Sequence, residues 1–170
     1  MAEKKTDKFA NKMYGTVTES AANTLTYAEI KTNVSVFDKA AWILHRLEWY
    51  LAATEIDKLL GLGDSITMAL TSSSTPAALA LADSAVIDLC TLNHKDLTAV
   101  GFSDYTTPFI RDFSNLPGGG LIIAPRPLYL AAKGVSLASA VTVQLRGYFT
   151  IMNLSADEYI ELVDFYRIVQ

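Results

Sequence analysis

The side chains able to do chemistry are few and far apart. There are two histidines, His45 between Leu44 and Arg46, and His94 in a turn beside Lys95 and Asp96. Neither stands near a second ligand type at a metal spacing, and a metal site needs three or four converging ligands. A Ser–His–Asp hydrolase would need one of these histidines beside a serine and an aspartate. Serines are plentiful, but none lies in a Gly-x-Ser-x-Gly elbow. Asp157, Glu158, Glu161 and Asp164 have the residue types of paired acid–base carboxylates, yet their spacing reads as the solvated face of a helix. Cys90 is the only cysteine, which excludes an internal disulfide and cysteine-pair metal sites. Inside the apolar run Ala85 to Leu92 it reads as a buried, inert thiol. No catalytic, cofactor-binding or metal-ligating residue is assigned, no cofactor is expected, and the chain reads as a non-enzyme.

Two backbone motifs remain. Gly118-Gly119-Gly120 is not a phosphate loop, since no Gly-Lys-Ser/Thr follows it and the next residues form a buried-type strand. Glycines there suit positive φ or a close backbone approach where loops meet. Arg126 lies between Pro125 and Pro127, which hold the chain extended and remove two N–H donors, as at a sheet edge or bulge. An arginine fixed in this way is well placed for a salt bridge to a neighbouring subunit.

The elements that must position these residues are mostly strands. Thr24 to Phe37 alternates, with Ala28, Ile30, Thr32, Val34 and Val36 on one face. Asp38 to Leu62 is open to a helix or a strand. Strand is the better reading for 40–51, with Ile43, Leu47, Trp49 and Leu51 on one face beside His45, followed by a loop or a single helical turn at 55–60. Further strands are expected at Ser65–Ser72, Ala78–Ala82, Ala85–Leu92, near Phe109–Phe113, at Leu121–Ala124, at Leu128–Ala132 and at Ala138–Met152. A long loop covers 93–108. Ser155 followed by Glu158 has capping-box spacing, and Tyr159, Leu162, Val163 and Tyr166 recur at helical intervals, so 155–168 is predicted as a helix. About eight short strands at uneven spacing predict an all-β sandwich or barrel, with Greek-key or jelly-roll crossings favoured over a meander.

At 170 residues the chain is most simply one domain, divided into an N-terminal arm (1–23) and a sandwich (24–170). Half of it is apolar (51%), with mean hydropathy +0.24, yet no apolar run approaches the roughly 18 residues of a membrane helix. That apolar surplus points to a core or an interface. The start of the chain has no apolar h-region, so no secretory signal is expected. The net charge of −4 argues against a dedicated nucleic-acid binder. Lys4, Lys5, Lys8 and Lys12 against Glu3 and Asp7 give the first twelve residues +2, which leaves −6 on the rest. Such an arm is able to make weak contact with phosphates or to touch a neighbouring subunit. Aromatics cluster twice, as Trp42, Trp49 and Tyr50, and as Tyr148, Phe149, Tyr159, Phe165 and Tyr166. Strict alternation sends about half of each cluster away from the core, where aromatics serve as interface anchors.

Ala41-Trp42-Ile43-Leu44-His45-Arg46, Gly63-Asp64-Ser65 opening a strand, and Asp112-Phe113 leading to Pro117-Gly118-Gly119-Gly120 form part of a wider layout. With Pro125-Arg126-Pro127-Leu128-Tyr129 and the closing Val141 to Val169, the chain resembles the small single jelly-roll capsid proteins of icosahedral viruses over about 130 residues. The resemblance implies an eight-stranded jelly-roll sandwich with a short C-terminal helix, located in the virion. Its copies would tile a shell through loops, arm and tail. The arm departs from the arginine-rich arms of many such proteins, which suits a shell over an internal membrane or one with a separate packaging protein. The expected function is therefore self-assembly with copies of itself, and with a second coat protein where one is required. The residues expected to carry it are Lys4, Lys5, Lys8, Lys12, Trp42, Trp49, Arg126, Tyr159 and Tyr166. A β-sandwich module binding carbohydrate or protein is the alternative, and it requires the aromatics to converge on one concave groove.

Overall fold

Side-chain alternation at the strands is written directly into the architecture. The structure, a computed structural model, describes residues 10–31, 40–74, 76, 79–94, 108–124 and 126–168, the last four as backbone only. Among them run β1 (Asn11–Thr18), β2 (Thr26–Ile30), β3 (Ala40–Tyr50), α1 (Ala53–Ile56), β4 (Ser65–Thr71) and β5 (Val86–Asn93). The chain continues through β6 (Phe109–Asp112), β7 (Leu121–Ile123), β8 (Leu128–Val135), β9 (Thr142–Asn153) and α2 (Ala156–Ile168).

The pairings nest. β1 pairs with β9, β2 with β8, β3 with both β6 and β7, and β4 with β5, all antiparallel. β6 lies along Arg46–Trp49 and β7 along Trp42–Leu44, so the two act as one strand interrupted by the loop 113–120. First with last and middle with middle is the pattern of a long hairpin rolled on itself. Added pairs β3–β9 and β4–β8 complete two sheets, β1-β9-β3-β6/β7 and β2-β8-β4-β5. The protein is an all-β jelly-roll sandwich with a short C-terminal helix.

The core lies between the sheets. Met13 and Val17 of β1, Leu145 and Phe149 of β9, and Leu44 and Leu47 of β3 meet Ile66, Met68, Leu70, Leu128 and Leu130 from the opposite sheet. A register shift between Leu44 and Arg46 leaves His45 as an extra residue opposite β9. This bulge resets the alternation of β3, so Trp42 and Leu44 before it and Leu47, Trp49 and Leu51 after it all point inward.

Two expectations are corrected, the extent of the arm and the strand at Ala78–Ala82. The arm 1–23 does not extend to residue 23, because Asn11–Thr18 is a full strand of the first sheet, driven by inward Met13 and Val17. The alternating run 24–37 holds a strand at Thr26–Ile30, and its residues 32–37 lie outside the described residues. No strand forms over the described part of Ala78–Ala82, residues 79–82, which is turn and bend. There Asp83 N–H donates to the Ala80 carbonyl, and the Asp83 carboxylate accepts from Ala85 N–H (2.9 Å), so the chain turns instead of extending. This loop folds back, and Leu79 packs on Ala69, Val86 and Ala131 on the outer face of the second sheet. At the end of the chain the capping box closes α2: Ser155 N–H donates to Glu158 Oε2 (3.1 Å), and Glu158 N–H to Ser155 Oγ (3.3 Å).

Candidate interaction face and cleft

The outer face of the first sheet is built from the residues that alternate with the core. On β1 these are Lys12, Tyr14 and Thr16; on β9, Tyr148, Arg146 and Gln144; on β3, Arg46, Glu48 and Tyr50. Register aligns them into three cross-strand rows: Lys12–Tyr148–Arg46, Tyr14–Arg146–Glu48 and Thr16–Gln144–Tyr50. Cations and phenol rings alternate within this grid. The Lys12 ammonium lies 5.8 Å from the centre of the Tyr148 ring, the Arg46 guanidinium 5.9 Å from the same ring, and the Arg146 guanidinium 5.5 Å from that of Tyr14.

Glu48 anchors the grid. Its carboxylate is buried, and it takes an ion pair from Arg46 at 2.6 Å and a looser one from Arg146 at 3.5 Å. A hydrogen bond to Tyr148 is the main cause that raises Arg146 above the ordinary guanidinium value. Beside this anchor opens a cleft of about 320 Å3, lined by Tyr14, Thr16, Glu48, Tyr50, Gln144 and Arg146 and edged by Pro108. Tyr14 keeps 57% of its surface exposed and Tyr50 42%. Both rings are held on strands, β1 and β3, and stay open to solvent.

At the next row His45 clasps a loop. Its Nδ1 donates to the Gly119 carbonyl (2.8 Å), so in the neutral imidazole Nε2 accepts from the Thr150 hydroxyl (2.9 Å). Gly118 and Gly119 take φ of +89° and +78°, and a side chain at Gly120 would strike Ile43 and the Leu44 carbonyl. Both uses expected of this glycine run are present, one at the turn and one at the close approach. Asp112 terminates the row and accepts from Ser114 Oγ (2.6 Å) and Ser114 N–H (2.8 Å). Those two bonds, helped by Arg46 and His45, hold its carboxyl below the ordinary carboxylate value.

The residues expected to carry assembly separate widely. Trp42 (2% exposed) and Trp49 (0%) are core residues, not surface anchors, because the bulge at His45 turns both inward. Trp42 packs on Phe149 with ring centres 5.5 Å apart, and Trp49 Nε1 donates to buried Asp88 (3.3 Å). Lys12 is not part of a free arm but sits on β1 against Tyr148, while Lys4, Lys5 and Lys8 lie outside the described residues. Arg126 lines a smaller hollow of about 190 Å3 with Ser72, Ser84, Val86, Ile87, Leu121 and Ile123. Tyr159 is half-buried on α2, and the side chain of Tyr166 lies outside the described ones. Among the described residues no three histidine, cysteine or acidic side chains converge on a metal position, and no helix is long and apolar enough to cross a membrane. Tyr14, Glu48, Gln144 and Arg146 were not expected as a group. Their signal is the period-2 sets Lys12-Tyr14-Thr16 and Gln144-Arg146-Tyr148, which acquire meaning only once β1, β9 and β3 are aligned.

No protein-family model matches the chain, and no curated protein sequence matches it.

Proposed function

We propose that this chain is a structural subunit, not an enzyme, which assembles with copies of itself into a closed icosahedral capsid. The observation that carries the reading is the nested strand order of the two sheets. That order is the jelly roll of the small capsid proteins the sequence resembles, and the link from fold to role is one of analogy. The placement of exposed leucines supports the reading. Leu60 and Leu62, each 77% exposed, sit in the β3–β4 connection, and Leu81 sits in the β4–β5 connection. These lie at opposite ends of β4, so apolar contact is offered on more than one side, as a tiling subunit needs.

Leu60 and Leu62 are presented by a braced loop. The Asp64 carboxylate accepts from the N–H of Leu60 (3.0 Å) and of Gly61 (2.7 Å), which holds the two side chains outward. Each contact in such a shell is modest, and several per subunit make assembly cooperative. The first residues, with Lys4, Lys5 and Lys8, join this reading as an arm that reaches a neighbour or phosphate, and a second coat protein is compatible with it. The test is the mass in solution by light scattering after size exclusion, with negative-stain images of the peak. Closed particles, or rings of five or six subunits, are expected. A species that stays at 18.5 kDa across salt and pH overturns the reading.

A further inference from the structure

We propose that the cleft between Tyr14 and Tyr50 binds a neutral pyranose residue of a glycan. The residues involved all lie on the outer face of the first sheet, which takes no part in the leucine contacts described above. A pyranose presents an apolar C–H face and a rim of hydroxyls, each both donor and acceptor. The cleft offers the counterpart of both. Tyr14 and Tyr50 supply exposed ring surface on either side, and Glu48, Gln144, Thr16 and Arg146 supply acceptors and donors between them.

Three features select this ligand class. The volume of about 320 Å3 is at the lower end of the roughly 300–1,000 Å3 of small-molecule sites, which suits a sugar ring and not a long chain. The two charged groups lining the cleft, Glu48 and Arg146, oppose each other at 3.5 Å, and the cations beside it, Arg46 and Lys12, are engaged by Glu48 and by the Tyr148 ring. The polar groups are also held in place. Glu48 is buried and fixed by Arg46 at 2.6 Å, and Arg146 is stacked on Tyr14, so binding need not order them from a free state.

The experiment is an NMR titration of the full chain with methyl glycosides of glucose, galactose and mannose, and with N-acetylglucosamine. N-acetylneuraminic acid and inorganic phosphate serve as charged probes. At least one neutral sugar is expected to shift the amides around Gly15 and Leu145 with a millimolar Kd. Tyr14→Ala and Tyr50→Ala should each weaken that binding by about tenfold or more while the thermal midpoint is unchanged. Three results overturn the proposal: no shift with any neutral sugar at tens of millimolar, a preference for the charged probes, or full binding by both tyrosine variants. A fourth is protection of Tyr14 and Tyr50 by a neighbouring copy in the assembled form, which would make this face an interface between subunits.

Discussion

The outer faces of the two sheets are finished in opposite ways. On the second sheet, Tyr27, Ala131 and Ala69 form one cross-strand row of small and aromatic residues, and described residues of the β4–β5 connection lie against it. Leu79 packs into that row, and the Tyr27 hydroxyl reaches the carbonyl of buried Pro76 (3.4 Å). The equivalent rows on the first sheet hold Tyr14, Arg146, Glu48, Thr16, Gln144 and Tyr50, and an open cleft lies over them. One face uses alanine so that the chain can cover it with its own loop. The other uses long amphipathic side chains that remain half-exposed. A sandwich needs only its inner faces to fold, so the two outer faces are free to diverge, and here one is covered by the chain itself while the other stays open.

The shared inner face sets the largest expected effect. Trp49→Ala removes a fully buried ring and leaves Asp88 with Arg111 as its remaining side-chain partner, so a loss of about 3–5 kcal/mol is expected in urea unfolding. A loss below about 1 kcal/mol would mean that Trp49 faces solvent, and the bulge at His45 would be wrong.

The two outer faces are separated by adding the same bulk to each. Ala131 is fully buried beneath the loop, whereas Thr16 is exposed beside the cleft. Ala131→Leu is expected to cost about 1–3 kcal/mol through overpacking, and Thr16→Leu to stay within about 0.5 kcal/mol. Equal costs would erase the distinction between a covered and an open face. Both variants are measured by urea unfolding in the same oligomeric form.

The contrast was only partly legible in the residues. The apolar runs from Ser65 to Ser72 and from Leu128 to Ala132, bounded by turn residues, carry a strand signal that tertiary packing obeys. β1 escaped because its inward positions read Met13, Gly15, Val17. Gly15 interrupts the apolar pattern, since the space of its side chain is filled by Ile30 and Leu130. β3 is legible as a strand, yet its faces are not. One extra residue at His45 reverses the alternation beyond it, and no residue type announces a bulge. The run Ala78–Ala82 alternates like a strand, but over its described part the chain turns, and Leu79 packs on Ala69, Val86 and Ala131 of the second sheet. The cleft was hidden for a similar reason, because it joins residues of β1, β3 and β9 that meet only through register.

The smallest effects lie in the pH dependence of stability, and each limb belongs to a different face. Asp112, at the margin of the open face, has its carboxyl lowered from 3.8, chiefly by the Ser114 hydroxyl and N–H. A lowered carboxyl stabilises the fold above its unfolded value and loses that contribution as pH falls through the folded one. Asp112→Asn is therefore expected to be slightly less stable than the parent at pH 7, with the gap closing below about pH 3.8. Tyr27, under the loop, has its phenol raised from 10.0 by burial first and by Asp83 second. A raised phenol contributes nothing unfavourable below pH 10 and costs stability as pH climbs above it, because the unfolded chain ionises first. Tyr27→Phe should remove that alkaline loss and leave the acid limb untouched. Denaturant midpoints from pH 2.5 to 11 measure both limbs at once. If Tyr27→Phe follows the parent above pH 10, the phenol is solvated and the second sheet is as open as the first.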